Sequence, residues 1–269
     1  GHMKSTRSGK VYLVGAGPGD PELLTLKAVR ALGEADVILV DDLVNPVVLS
    51  HARSNARIIQ VGKRGGCPST SQAFIERLMI KESSAGNVVV RLKGGDPFMF
   101  GRGGEEQASL MQHGIDVEVV HGITAGIAAP ARLGIAVTHR TESQGVIFVT
   151  GHGKDGAEPD WPALAATGLT LVIYMGVSRA LHIQSALIAG GLAPDTPAAV
   201  IQNACLPTER AITTSLRALA EDIRANAIGS PAILVIGRVV AEGFARPGIS
   251  PALVTTRDNR FVDAEEVGT

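Results

Sequence analysis

The chain has 269 residues, of which 45% are hydrophobic and 19% are charged, and its formal net charge is −1. This composition excludes a disordered chain, and the charge gives no sign of the basic surface that nucleic-acid binding requires. Aromatic residues make up only 3%, and the two cysteines belong to no CxxC or Cys/His cluster. We therefore expect one large or two ordinary domains that bind no nucleic acid and hold no metal.

The two ends of the chain carry weak folding signals. The opening Gly-His-Met resembles an expression tag, so residues 1–9 are predicted to be a tag and a disordered arm. From about Glu242 onward, prolines and charges predict a surface tail over 242–269. No charge-free apolar run approaches the ~20 residues that cross a bilayer, and no signal peptide is visible. These features predict a cytoplasmic protein that does not bind membranes.

In the first half of the chain, apolar strand-like runs alternate with helical patterns. The predicted strands cover 11–16, 37–42, 56–62, 88–96 and 117–122, and the predicted helices cover 23–35, 70–86 and 105–114. The helix at 70–86 has a Ser/Thr start and a Gly stop. Such alternation predicts a mostly parallel sheet with helices on its faces.

The second half begins with a small, Gly-rich, helix-like stretch at 122–137. Further predicted elements are strands at 145–152, 169–176, 197–204 and 231–237, a loop at 151–162, and an edge strand at 209–216 that leads into a helix near Ser215. The predicted fold class is α/β. We expect two α/β domains, at 10–122 and 123–241.

The loop VGAGPGD after the first strand predicts close approach of a ligand to the backbone. The dinucleotide fingerprint GxGxxG would place its third glycine where Asp20 stands, and a carboxylate there opposes a phosphate. No GK[ST] follows, so a P-loop is absent. Two alternatives remain open: a purely structural turn, and an NAD site, because Asp41 ends the next strand about twenty residues on, where a ribose-binding acid is expected.

The stretch RLKGGDPFMFGRGGEE has five glycines in sixteen residues at the end of a predicted strand. That end is the usual ligand-binding edge of a parallel sheet. Its bare backbone carbonyls and the carboxylate of Asp96 suit a cation or an amino group better than a phosphate.

Seven segments of the chain resemble the motifs of a known family. In chain order, they are VGAGPGDPELLTLKA, VGKRGG, RLKGGDPFMFGRGGEE, HGITAGIAAPARLGI, THR, VTGH and YMG. Together they resemble the tetrapyrrole methylase family over about residues 10–240. The resemblance implies two α/β domains with S-adenosylmethionine in the cleft between them, and a homodimer. The implied reaction methylates uroporphyrinogen III at C2 and C7, giving precorrin-2 and S-adenosylhomocysteine. Precorrin-2 would feed corrin, sirohaem or haem d1 synthesis.

Other functions stay open at this point. One is a methyltransferase of the same family that acts on a later precorrin. Another is an NAD-dependent oxidoreductase, and a third is a regulatory protein that binds a ligand without catalysis. The GRGGEE segment favours the early methyltransferase.

The resemblance also implies which residues hold the methyl donor. These are Pro18 in the first loop, the GGD residues Gly94, Gly95 and Asp96, and also Met99, Thr124, Ala125, Met175, Ala204 and Ala232.

Four residues are implied in catalysis. Asp41 and Lys63 match positions of a proton acceptor and a proton donor. Arg102 is assigned to substrate binding and to the proton step, with Glu105 orienting it. Arg140 is expected to meet a substrate carboxylate. The alternatives are a turn acid at Asp41, a solvated lysine at position 63, and a helix N-terminal charge at position 105.

Overall fold

The computed structural model describes residues 9–62 and 71–243, together with the backbone of residues 253–256. The chain divides into two compact units, residues 1–124 and 125–269. The predicted limits of independently folding domains, 10–122 and 123–241, stay a prediction.

The first unit is built on a five-stranded parallel sheet, as the alternation predicted. Its elements are β1 (Lys10–Gly15), α1 (Leu26–Glu34), β2 (Val37–Val40), β3 (Arg57–Gln60), α2 (Gln72–Ser84), β4 (Val88–Lys93), α3 (Gly103–Gln112) and β5 (Asp116–Val120). The strand order is β3-β2-β4-β1-β5. The carboxyl ends of all five strands therefore lie at one edge.

The central strands β1, β2 and β4 are buried on both faces, which explains why they are nearly continuous apolar runs, whereas the edge strand β3 is largely exposed. Along β1, Tyr12 and Val14 pack in a cluster with α1 residues such as Leu32. The alternate residues, Val11 and Leu13, pack in the opposite cluster with residues of α2 and α3. Because successive side chains on a strand point to opposite faces of the sheet, β1 contributes to two separate cores.

Side-chain caps set the starts of two helices in this unit. The Thr25 hydroxyl accepts from the backbone N–H of Ala28 at 3.0 Å, so α1 starts at Leu26. The predicted start at residue 23 is wrong, because Pro21–Leu23 form a separate 3-10 turn. The Ser71 hydroxyl caps α2 by accepting from the N–H of Phe74 at 3.2 Å, which confirms the predicted Ser/Thr start.

The second unit contains a mixed six-stranded sheet. Its elements are α4 (Ala125–Arg132), β6 (Val146–Thr150), α5 (Trp161–Ala166), β7 (Thr170–Tyr174), α6 (Ala180–Ala189), β8 (Pro197–Gln202), β9 (Arg210–Ser215), α7 (Leu219–Ala225), β10 (Ala232–Ile236), α8 (Val239–Gly243) and β11 (Leu253–Thr256). The strand order is β11-β9-β8-β10-β7-β6, and β10 is antiparallel to both of its neighbours. Its core joins the sheet to helices α5 and α6.

Three expectations for this unit need correction. The strand β9 is not at the edge of the sheet, because β11, from within the predicted tail, pairs with it in parallel. The helix-like stretch at 122–137 is helical only over 125–132. The predicted loop at 151–162 ends early, because Trp161 begins α5 and buries its indole in the core.

In the described part of the chain, no helix combines the length and the apolar character that crossing a membrane requires.

Candidate active site

Three glycines meet at the carboxyl edge of the first sheet. They end β1 (Gly15), follow β4 (Gly95) and follow β5 (Gly122). A Cβ on Gly15 would lie 2.5 Å from the carbonyl oxygen of Gly95, and a Cβ on Gly122 would overlap the same oxygen. Gly17 and Gly95 also exchange backbone hydrogen bonds of 3.1 and 2.8 Å. The first glycine-rich loop is therefore locked onto the GGD loop by close backbone packing.

Asp20, at the position of the third fingerprint glycine, has a local structural role. Its carboxylate accepts a 2.9 Å hydrogen bond from the backbone N–H of Glu22 and so caps the short 3-10 turn that follows. The loop then carries an acid where a dinucleotide site needs a glycine and a helix N-terminus. Pro18 lies between Gly17 and Gly19 and is half-buried.

Asp96 is the best-defined polar group of this edge. Its Oδ1 accepts from the backbone N–H of Gly122 and lies 3.0 Å from Nδ1 of His121, while Oδ2 accepts from the N–H of Phe98 at 2.9 Å. The carboxyl side chain is only 14% exposed. These donors fix its orientation and leave lone pairs for one further donor, such as an ammonium group. Sequence analysis did not single out His121 for this contact.

Three other residues predicted to bind the cofactor belong to the first unit: Gly94 and Met99, on either side of Asp96 in the sequence, and Thr124. Gly94 lies against Leu43, whose Cβ would be 3.0 Å from a Cβ on the glycine. Met99 is half-buried, and its N–H donates to the carbonyl of Asp96 at 3.3 Å. Thr124 is buried at the end of the first unit.

Arg102 and Glu105 form an exposed pair beside this loop. The Arg102 Nε donates to Glu105 Oε2 at 2.9 Å, and their side chains are 61% and 62% exposed. Arg102 precedes α3 with left-handed backbone angles, φ 59° and ψ 14°. The guanidinium is thus presented to solvent, as expected for a group that would bind an anionic ligand.

Asp41 belongs to a charged cluster that sequence analysis missed. Its Oδ2 lies 3.5 Å from Nη2 of Arg91, whose Nε donates to Glu106 at 3.1 Å. Lys93 also pairs with Glu106. Burial and the nearby Arg91 charge lower the pKa of Lys93, whereas Glu106 opposes that shift. The sequence did contain a signal for this cluster, because Arg91 and Lys93 lie two residues apart on a strand predicted to be buried and therefore share one face of it.

In the second unit, the candidates Met175, Ala204 and Ala232 lie near one end of the sheet. Met175 directly follows Tyr174, which pairs with Ile233, and Ala232 pairs with the last residue of β8, two before Ala204. Met175 is exposed and has left-handed φ of 55°.

Ala125 begins α4, and the next N–H along the chain, that of Gly126, donates to the Tyr174 hydroxyl at 2.8 Å. Arg140 is exposed in a turn closed by backbone hydrogen bonds between His139 and Ser143. Lys63 lies outside the described residues. Among the residues described, no group of three or more His, Cys, Asp or Glu could hold a metal ion.

The fold agrees with comparisons to known proteins. Residues 10–220 match the tetrapyrrole (corrin/porphyrin) methylase family, and the chain belongs to that family. It is 57% identical over 240 residues to uroporphyrinogen-III C-methyltransferase of Pseudomonas aeruginosa, covering 89% of this chain and 98% of that protein.

Two solved structures share the fold. One is uroporphyrin-III C-methyltransferase of Thermus thermophilus in complex with S-adenosylhomocysteine, which is 42% identical with a TM-score of 0.76 and covers 87% of this chain and all of that one. The other is a cobalt precorrin-4 methyltransferase, 28% identical with a TM-score of 0.80, covering 89% of this chain and 99% of that one. The family match removes the support for an NAD-dependent oxidoreductase.

Proposed function

We propose that this protein is an S-adenosylmethionine-dependent C-methyltransferase that converts uroporphyrinogen III into precorrin-2 by methylating C2 and C7. The observation that carries the proposal is the 57% identity to a uroporphyrinogen-III C-methyltransferase over 98% of its length. The cobalt precorrin-4 methyltransferase is only 28% identical to this chain, which favours the early substrate over a later precorrin.

The described residues fit a methyl donor that has an ammonium group and no phosphate. Asp96 is a fixed, mostly buried acceptor beside glycine backbone, and Asp20 disfavours a pyrophosphate. In our proposal, Gly94, Gly95 and Asp96 hold the methionine part of the donor. The remaining donor-site residues are Pro18, Met99, Thr124, Ala125, Met175, Ala204 and Ala232. When bound, the donor supplies an electrophilic methyl group.

In our proposal, charged residues of this chain bind the carboxylates of the tetrapyrrole and accept the proton that it loses. Uroporphyrinogen III carries eight carboxylates, and the exposed guanidinium groups of Arg102 and Arg140 are suited to clamp two of them. An electron-rich pyrrole carbon needs alignment more than activation. After methyl transfer the ring must lose a proton, and Asp41 is the acceptor we propose. Glu105 orients Arg102, and Lys63 completes the proposal as a proton donor.

We further propose that the enzyme is a cytoplasmic homodimer that binds neither nucleic acid nor membranes. The net charge of −1 and the low aromatic content support the absence of a nucleic-acid surface. The apolar segment of α4, where Ile127 is 54% exposed, is the surface that we propose the second chain of the dimer covers.

The test is an anaerobic incubation with uroporphyrinogen III and a donor labelled with 13C in its methyl group. We expect a product with two labelled methyl groups, located at C2 and C7 by NMR. Calorimetry with S-adenosylhomocysteine and with NAD runs in parallel. If the protein binds NAD and does not bind S-adenosylhomocysteine, the proposal is overturned. Donor binding without any turnover would favour a regulatory protein.

A further inference from the structure

Four charged side chains from three elements form a continuous line in the first unit. They are Lys93 and Arg91 on β4, Glu106 on α3 and Asp41 after β2. The side chains of Glu106, Arg91 and Lys93 are 0%, 2% and 5% exposed, whereas that of Asp41 is 35% exposed. The line therefore starts in the interior and reaches solvent only at Asp41, at the ligand edge of the sheet.

Stability alone is a poor explanation for this arrangement. Ion pairs this deeply buried often contribute no more than apolar residues of the same volume, because desolvating the charges costs as much as pairing them returns. The two acids and two bases balance in charge, so the cluster is tolerated. A functional reason for keeping it is expected at the end that meets solvent.

The distances within the cluster show which contacts fix the side chains of Arg91 and Asp41. The Arg91 Nε lies 3.1 Å from Glu106, and its Nη2 lies 3.5 Å from Asp41. Because a guanidinium is planar and rigid, the hydrogen bond at Nε determines where Nη2 points. The other Asp41 oxygen accepts from the backbone N–H of Asp42 at 3.0 Å. Arg91 is thus held mainly by Glu106, and the Asp42 N–H and Arg91 together orient the two oxygens of Asp41.

We propose that Glu106 is a positioning residue for the methyl-transfer reaction: its buried carboxylate fixes Arg91, and Arg91 holds Asp41 ready to accept the proton. This inference rests on the proposed role of Asp41. It assigns a function to a residue that does not itself reach the substrate.

The test is a double-mutant cycle of Glu106→Gln and Asp41→Asn, with kcat and the affinity for S-adenosylhomocysteine measured on each variant. We expect Asp41→Asn to lower kcat about a hundredfold or more and Glu106→Gln to lower it at least about tenfold. Affinity should stay within about twofold. The double variant should be no slower than Asp41→Asn, because Glu106 acts only through Asp41.

Failure of the proposed function would appear as absence of methyl transfer by the native chain, which differs from every result that would overturn the inference. Independent, multiplying losses in the double variant, or normal kcat in Glu106→Gln beside a slow Asp41→Asn, would overturn the inference alone. Full turnover of Asp41→Asn would overturn both the inference and the role of Asp41.

Two further variants separate positioning from stability. Glu82→Gln is the matched control, since Glu82 is another buried glutamate of this unit, paired with Arg57; it should lower the melting temperature and keep kcat. Lys93→Met/Glu106→Gln removes one cation and one anion together, so it should fold even if Glu106→Gln does not. We expect its kcat to stay low. Full turnover there would show that Glu106 is only structural.

Discussion

At the scale of single residues, Arg102 offers the sharpest test of substrate binding. Its ion pair with Glu105 is exposed, so Arg102→Ala should change the free energy of unfolding by no more than about 0.5 kcal/mol. If the guanidinium clamps a substrate carboxylate, turnover should fall about a hundredfold or more, with donor affinity kept. Arg102→Lys should rescue poorly, because an ammonium lacks the planar fork.

The backbone of Arg102 supplies the control. Because its φ is 59°, Arg102→Gly should fold as well as the native chain or better, while losing the same turnover. Methyl transfer, S-adenosylhomocysteine affinity and melting temperature are measured on all three variants. Near-normal transfer in Arg102→Ala would remove the residue from the mechanism.

Single residues also show what a sequence can and cannot predict. The GGD and GRGGE residues could be selected because their order along the chain is distinctive. The role of Asp20 as a cap and the contact of His121 with Asp96 could not, because both depend on where separate loops meet. The pairing of Arg91 and Lys93 with Glu106 could not be predicted for the same reason, although the two charges in an apolar strand indicated that some buried charged group must lie there.

At the scale of elements, the meeting of β1, β4 and β5 predicts a sharp difference between two glycines. Gly122→Ala would place its Cβ on the carbonyl of Gly95, so we expect a loss of about 1–3 kcal/mol in the free energy of unfolding, and weaker donor binding. A Cβ added to Gly104, on the first turn of α3, would meet no atom within 4 Å. Gly104→Ala should therefore be neutral or stabilising by up to about 1 kcal/mol.

Urea denaturation of the two glycine variants checks this prediction, with calorimetry for donor affinity. Equal stability of Gly122→Ala and Gly104→Ala would mean that the three strand ends do not pack as described.

An ion triad between α1, β1 and β5 predicts a pH dependence. Hydrogen bonds from Lys27 at 2.7 Å and Lys10 at 3.0 Å lower the pKa of Glu118 to about 2. A lowered carboxyl pKa stabilises the fold above the unfolded value near 4.3, and this contribution is lost as the pH falls toward 2.

Because the groups are partly exposed, the contribution should not exceed about 1 kcal/mol. Glu118→Gln should therefore unfold more easily than the native chain at pH 7, and the difference should shrink as the pH falls below 4 or when 1 M salt is added. A difference that is unchanged at low pH would contradict this assignment.

Elements themselves were predictable where local chemistry determines them. The strands of the first sheet follow from apolar runs, and the start of α2 follows from its Ser cap. The neighbours of a strand are a different matter, since periodicity sets which side chains share a face and not which strand lies alongside. For that reason β9 was expected at an edge, whereas β11 pairs with it.

At the scale of the whole molecule, the order of the motifs predicted the family and the α/β class, because many short segments in one order constrain a fold more than composition does. Composition alone predicted only a packed chain of one or two domains. It contains no information on strand order or self-association, since these depend on surfaces assembled from distant segments.

The homodimer is the prediction that belongs to this scale. Light scattering at micromolar concentration should return twice the mass of one chain. Ile127, 54% exposed on α4, lies in the apolar segment we expect to be covered, so Ile127→Glu should shift the mass toward one chain by placing a charge in an apolar interface. Leu26→Glu is the matched control: Leu26 is 90% exposed at the start of α1, and its replacement should leave the mass unchanged. A native chain that scatters as a monomer would refute the dimer, and a dimeric Ile127→Glu variant would place the interface elsewhere.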